Sequence, residues 1–303
     1  MIIFSRAEYS GYNTEQFLLY SDLDAHEYPR EEIKILSGKH ALTGYLYGAN
    51  STQGLIIISP GHRDPSDVKL YEITYFADAG WMVLCYDYTG CYNSEGGSMV
   101  GYAQAVYDLD AVIRYVESES RFADLPVMLF GHSLGGYASA AVLQFEHNVT
   151  AAIIASGFDT PKEQWAYSIK RYTGIFHIPL SPFTWMFTTV KYGEDSRLSA
   201  IDGINAVAVP ILVISGTEDD FYGGVSPIYT KREQIENPNC SVQLMEKPGH
   251  NGHYDYFLSD AAVAYQSLVN AGIGHDSIDK FLFMEHSKEF MDMLNEFYVS
   301  SLE

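Results

Sequence analysis

The hydrophobic pattern of the chain changes character near residue 50. Before it, "EEIKIL" and "ALTGYLYG" alternate apolar and polar positions, and this predicts two paired antiparallel strands near a sheet edge. After it come six short runs that are apolar at both parities: "GLIIIS" (54–59), "WMVLCYD" (81–87), "PVMLFG" (126–131), "TAAIIAS" (150–156), "VPILVISG" (209–216) and "SVQLME" (241–246). A strand with one wet face alternates, whereas a run apolar on both faces is covered on both, as central parallel strands are. Helical segments separate most of these runs. In "VYDLDAVIRYVES", Leu109, Val112, Ile113 and Val116 fall at i, i+3, i+4 and i+7, a single apolar stripe. Asp110 and Arg114 pair across one turn on its outer side. Phe290, Met293, Leu294, Phe297 and Tyr298 repeat the helical spacing near the end. Strands alternating with helices predict an α/β fold with a doubly wound, mostly parallel sheet.

Two segments stand outside this alternation. Residues 1–30 are aromatic and polar without a clear period and predict an irregular N-terminal arm. After the sixth strand the chain spends 157–206 before the next one, a stretch rich in aromatics that includes Trp165, Phe183 and Trp185. Loops of that length without structure are uncommon, so a small helical insertion is expected. It is either a set of extra core helices or, the preferred reading, a helical cap over a pocket. It leaves the sheet at a C-terminal strand edge, where such folds bind ligands. Residues 31–156 and 207–303 then make the core.

Composition narrows the function classes. The 303 residues carry 18 Lys+Arg against 39 Asp+Glu, a net charge of −21 that disfavours nucleic acid and anionic membrane surfaces as partners. Cys85, Cys91 and Cys240 are an odd set without C-x-x-C spacing, so neither a disulfide scaffold nor a zinc site is expected. The start "MIIFSRAEYSGYNTEQ" lacks a basic segment leading into a sustained apolar core, and no apolar run approaches the roughly 18–20 residues of a membrane span. A soluble, cytoplasmic protein is the expectation. Homo-oligomerisation through an exposed aromatic surface stays open.

The candidate chemistry centres on "VMLFGHSLGG". Gly131, His132, Ser133, Leu134 and Gly135 form G-x-S-x-G between a strand and a helical "YASAAVLQFE", the setting in which a serine is held exposed on a strained turn. A serine hydroxyl at its free pKa is a poor nucleophile and needs a base. "EKPGHNGHYDYF" offers His250, directly after Gly249 in a turn close to a strand end, and His253 as its competitor. His250 is preferred for its closeness to the strand. The H-x-x-H pair lacks the H-E-x-x-H spacing of a metal site, so no metal is expected. A carboxylate must orient the base, and "GTEDD" supplies Glu218, Asp219 and Asp220 after a strand. Asp219, three residues past Gly216, is preferred, with Asp220 next. An oxyanion hole needs two N–H donors: Leu134, following the serine, and His62 in "SPGHRDP". The Arg63 side chain is a further candidate for the pocket wall, as are Trp165, Phe183 and Trp185.

Taken together, "SPGH", "YDYTGCYNSEG", "GHSLGG", "GTEDD" and "GHNGH", at their spacing, resemble the α/β-hydrolase superfamily, in its serine aminopeptidase-like or monoacylglycerol-lipase-like branch. The resemblance runs from about Glu32 to the C-terminus. It implies an α/β-hydrolase fold and a serine hydrolase working through an acyl-enzyme, with Ser133 as nucleophile, His250 as base and Asp219 as acid, and no cofactor. The chain departs from the family pattern at Pro60, where a histidine is usual, and at Thr89 and Tyr92 in the Asp loop. It also has an element beyond the helix that commonly ends the family. An aromatic cap favours a small-molecule ester with an apolar or aromatic group. An aminopeptidase or amidase using the same triad is the runner-up, since the acidic balance would suit a cationic amine. Acyl transfer stays open, as does an inactive binding protein of the same fold.

Overall fold

The strands are β1 (Arg30–Ser37), β2 (His40–Tyr47), β3 (Leu55–Ser59), β4 (Met82–Tyr86), β5 (Val127–His132), β6 (Ala151–Ala155), β7 (Ile211–Gly216) and β8 (Cys240–Met245). They form one eight-stranded sheet in the order β1-β2-β4-β3-β5-β6-β7-β8. The computed structural model describes residues 6–8, 13–99, 101–173, 182–183, 186, 189–190, 193–273 and 277–303. β1 and β2 are an antiparallel hairpin and β2 meets β4 antiparallel; every later pairing is parallel. The alternating hairpin thus lies at one edge and the apolar strands β3 to β7 lie inside. The sixth run, "SVQLME", is the opposite edge strand β8 and is only partly buried, with polar Ser241 and Gln243 on one of its faces.

Burial on both faces explains those runs. Along β3, Ile57 packs into the core cluster that holds Leu109, Val112, Ile113 and Val116 of α2 (Ala103–Ser118). Its neighbours Ile56 and Ile58 pack into the opposite cluster, with Phe76 of α1 (Leu70–Asp78) and with Leu294 and Tyr298 of the helix Lys288–Ser300. All three isoleucines are fully buried, each contributing roughly 1.5–3 kcal/mol. The C-terminal helix is pinned as well as packed: the Tyr298 hydroxyl donates to the Leu129 carbonyl at 2.6 Å, and Asn295 Oδ1 accepts from the Trp81 indole at 2.7 Å.

Strand order locates the site. From β3 the chain moves outward to β4 and then returns to the other side of β3 as β5. This reversal opens a crevice at the carboxyl ends of β3 and β5, where open α/β sheets bind ligands. The loop after β3 carries Gly61–Asp64, and the turn after β5 carries Ser133.

Beyond β6 the chain forms α4 (Pro161–Thr173) and, shortly before β7, the helix Ala200–Ala206. A buried carboxylate ties the two ends of this stretch. Asp159 accepts from the Ser199 hydroxyl at 2.6 Å and from the Ile201 N–H at 3.0 Å. Its other oxygen pairs with Lys231 Nζ at 2.6 Å, and Lys231 also reaches Glu163 on α4.

Candidate active site

Ser133 follows the last residue of β5 and precedes α3 (Leu134–Ala141), with φ 57° and ψ −115°. A non-glycine residue at positive φ is strained, typically by about 1–3 kcal/mol, and persists only where its surroundings over-determine it. Here they do. The Ser133 N–H donates to the Ala155 carbonyl at 2.9 Å, and its carbonyl accepts from the Tyr137 N–H at 3.0 Å. The flanking glycines are required by close approach. A Cβ on Gly131 would lie 2.0 Å from the Gly135 carbonyl oxygen, and one on Gly135 would lie 2.0 Å from that of Ser59. The serine is pushed out of the sheet because its neighbours have no side chains to push back.

Ser133 lies on the wall of a cavity of ≈ 420 Å³ that also receives Gly61, His62, Arg63 and Leu134. Both residues expected to supply oxyanion N–H groups therefore border the serine's cavity, as does Arg63. The Leu134 N–H begins α3, and Gly61 and His62 follow the end of β3. Burial, reinforced by Arg63, lowers the His62 imidazole to about 4.

Of the acids after β7, the structure puts Asp219 inside and Asp220 outside. Asp219 is fully buried and accepts from the Phe221 N–H at 3.0 Å, the Tyr222 N–H at 3.3 Å and His253 Nδ1 at 2.6 Å. The Asp220 carboxylate is exposed.

The expectation for the base needs correcting: the histidine on Asp219 is His253, not His250. His250 Nε2 lies 2.7 Å from Asp260 Oδ1 and borders a separate groove lined by Lys247, Ser259 and Lys288. The reason is the path after β8. The Asn251 carbonyl accepts from the Glu218 N–H at 2.8 Å and packs so close to Gly216 that a Cβ there would be 2.2 Å away. Asn251 Nδ2 also donates to Thr217 Oγ1 at 3.0 Å. The residues nearest the strand are spent on docking against the end of β7, and the chain reaches Asp219 only at His253. The Gly252 carbonyl immediately before it also packs on Gly216, where a Cβ would lie 2.3 Å away, so the close passage runs up to His253 itself and Gly216 is the residue in the sequence that permits it.

Other functional candidates escaped the sequence reading. His132, the residue before the serine, donates from Nε2 to the His253 carbonyl at 2.8 Å, and its ring meets that of His253 at 4.8 Å between centroids. Burial, then the charges of His253 and Lys69, hold the His132 imidazole well below 6.5, so it is a neutral donor. Behind it lies a buried ion pair, Lys69 Nζ to Glu72 Oε1 at 2.9 Å, with His286 Nε2 3.4 Å from the other Glu72 oxygen. Burial opposes the Glu72 charge, yet Lys69 and His286 hold its carboxyl well below the usual range. Asp64, also on the cavity wall, is pushed up to about 6 by burial, against the pull of Lys69 and His253.

The remaining wall is Tyr102, Phe158, Phe221 and, from α4, Gln164, Trp165, Ser168 and Arg171. Trp165 is thus in the cavity as expected. Phe183 is not among its lining residues and is 66% exposed, its ring turned to solvent rather than to the site. Trp185 lies outside the described residues.

A family model described as serine aminopeptidase, S33, matches residues 50–187, which include Ser133 but neither Asp219 nor His253. A lysophosphatidylserine lipase, ABHD12, of Danio rerio is 26% identical over 190 residues, 61% of this chain and 45% of that protein. The chain therefore matches less than half the length of that relative. An uncharacterized membrane protein of Saccharomyces cerevisiae, YNL320W, is 22% identical over 239 residues, 78% of each chain. Among solved structures, an esterase of Pyrococcus furiosus superposes with a TM-score of 0.63 at 15% identity, covering 97% of this chain and all of that one.

Proposed function

From the premise that this chain is a member of the α/β-hydrolase superfamily, we propose that it is a serine hydrolase cleaving carboxylic esters through an acyl-enzyme. One observation carries the reading. The strained Ser133 shares its cavity with His253, whose Nδ1 is held at 2.6 Å by a carboxylate with no exposure to solvent.

In this mechanism Asp219 accepts the Nδ1–H of His253, which leaves Nε2 as the basic nitrogen. His253 takes the Ser133 proton as Oγ attacks the ester carbonyl, and returns it to the departing alcohol. The N–H groups of Leu134 and His62 receive the oxyanion, a stabilisation of about 3–4 kcal/mol for a single donor in comparable sites. Water then attacks the acyl-enzyme by the same route. The chain's own residues suffice for each step.

Ester rather than amide chemistry is supported by the relatives named as a lipase and an esterase. Tyr102, Phe158, Trp165 and Phe221 supply apolar contact area for an acyl or alcohol group. In the same reading residues 157–206 act as a cap, since α4 furnishes one wall of the cavity. The buried free thiols of Cys85 and Cys91 fit a reducing compartment, and we keep the cytoplasm as the proposed location. Among the described residues no helix is long and apolar enough to cross a membrane.

The test is hydrolysis of 4-nitrophenyl esters of increasing acyl length by the wild type and Ser133→Ala, beside an aminoacyl arylamide. Ester turnover lost in the variant supports the proposal. Turnover of the arylamide alone replaces it with a peptidase, and ester turnover that survives Ser133→Ala removes the serine from the mechanism.

A further inference from the structure

The wall that α4 turns to the cavity has the wrong chemistry for a purely apolar substrate. Gln164, Ser168 and Arg171 stand at i, i+4 and i+7, one face of the helix, with Trp165 beside them, and all four line the site. A helix covering an acyl tunnel would be expected to turn leucines or phenylalanines inward. Gln164 is only 4% exposed, and its Oε1 has no hydrogen-bond partner among the described residues. A buried amide oxygen without a partner is costly to leave so, and it marks a place where a ligand atom completes the bonding. As placed, Oε1 accepts from a ligand hydroxyl; turned over by 180°, the amide presents its two N–H donors to an anion oxygen instead.

Charge adds the second part. The chain has 18 basic residues to 39 acidic ones, yet two arginines reach this one cavity. Arg171 is held at its rim: Nη1 donates to the Asp220 carbonyl at 3.0 Å, and the guanidinium sits 5.2 Å from the centre of the Phe221 ring. The exposed Asp220 carboxylate, 3.8 Å away, offsets part of its charge. Arg63 enters from the loop after β3 with φ 65°, its carbonyl fixed by the Tyr92 hydroxyl. Among the described residues the one carboxyl on the wall is Asp64, which is influenced by Lys69, His253 and Glu72 and so lies on the side of His253.

We propose that Arg171 and Arg63, with the Gln164 amide, form an anion subsite, and that the ester substrate carries a carboxylate or phosphate group. This rests on the serine-hydrolase reading and specifies its substrate class. Guanidinium groups suit both oxyanions, because their planar forks match two oxygens at once.

The experiment compares kcat/KM within two matched pairs. One pair is the mono-4-nitrophenyl ester of adipic acid against 4-nitrophenyl hexanoate, which puts a carboxylate on the acyl side. The other is 1-butyrylglycerol 3-phosphate against 1-butyrylglycerol, which puts a phosphate on the alcohol side. The wild type should prefer the anionic member of at least one pair by about tenfold or more, as a charge-assisted bond implies. Arg171→Gln should reduce that ratio by about tenfold and Arg171→Lys by less, because the ammonium keeps the charge and loses the fork. The pair that shows the preference identifies the side and the anion. A ratio near one in both pairs, with the neutral esters turned over, overturns the subsite and leaves the hydrolase standing. A preference that persists in the Arg63→Gln, Arg171→Gln double variant overturns it equally. A wild type inert toward all four esters overturns the ester reading and the subsite with it.

Discussion

The turn after β5 and the loop after β8 each bring one side chain to the same cavity, and they fix it by different means. At the turn, three successive close approaches within a few residues force the geometry. Gly131 meets Gly135, Gly135 meets the Ser59 carbonyl, and Gly136 meets that of Ala155, where a Cβ would be 2.8 Å away. Along the loop nothing comparable acts on His250 or its glycine: a Cβ on Gly249 would find only Val263, at 3.9 Å. The position of His253 comes instead from contacts far away in sequence, with Asn251 docked on β7 and the His253 carbonyl held by His132. Local steric exclusion sets the candidate nucleophile, and tertiary docking sets the candidate base.

The largest effects test that division directly. Ser133→Ala and His253→Ala should each reduce kcat/KM on a 4-nitrophenyl ester by about 10⁴-fold or more, since members of such a unit fail together. His250→Ala should stay within about threefold of the wild type, because its partner Asp260 is exposed and its groove is separate. The reverse order would return the base to His250. Backbone substitutions sharpen the same contrast in stability. Gly135→Ala would drive a methyl into the Ser59 carbonyl and should lower unfolding free energy by about 3–4 kcal/mol in urea titration. Gly249→Ala meets no such obstacle and should lose only about 1 kcal/mol, from its φ of 78°.

This division is also why one part of the site could be read from residues and the other could not. Five of the six apolar runs became the buried inner strands β3 to β7, the sixth became the partly exposed edge strand β8, and the alternating pair became the hairpin at the other edge, because burial on one or two faces is written into each strand separately. "GHSLGG" is similarly self-contained. Asp219 was distinguishable from Asp220 by its distance from the strand, since the turn that buries it starts at Gly216. His250 and His253 differ only in how many residues the chain spends against Thr217 and Glu218, and that contact spans more than 30 residues. The same holds for Gln164 and Arg171, whose meaning depends on which face of α4 turns to the cavity.

If docking fixes the base, weakening the dock should slow the chemistry without weakening substrate binding. His132 is where the two regions touch: it ends β5, directly before the turn, and donates to the His253 carbonyl. We expect His132→Ala to lower kcat by about 10- to 100-fold with KM little changed, the range in which a misplaced group acts. His132→Asn, which keeps a side-chain N–H, should recover part of the loss. Because the imidazole must stay neutral to fit, its packing contributes fully at neutral pH and is lost as pH falls toward its lowered folded pKa. Equal losses in the Ala and Asn variants would mean that ring packing, not the hydrogen bond, does the positioning.

The smallest effect concerns the loop after β3, the third element at the cavity, where Asp64 folds its carboxylate onto Gly61. Burial raises this group from 3.8 to about 6, so the folded protein holds its proton more tightly than the unfolded chain does. Stability therefore falls as pH rises between those two values, and above pH 6 the whole penalty is present. Two pH units correspond to about 3 kcal/mol, and because the mostly buried residue keeps some contact with solvent, screening reduces this to about 1–2 kcal/mol. Asp64→Asn keeps the shape and removes the charge, so it should be more stable than the wild type by that amount in urea at pH 8 and indistinguishable from it at pH 3.5. A loss of stability at pH 8 would show instead that Lys69 and His253 outweigh burial. The carboxylate would then belong with the docking contacts that steady the base, and charge, not only packing, would fix His253 in place.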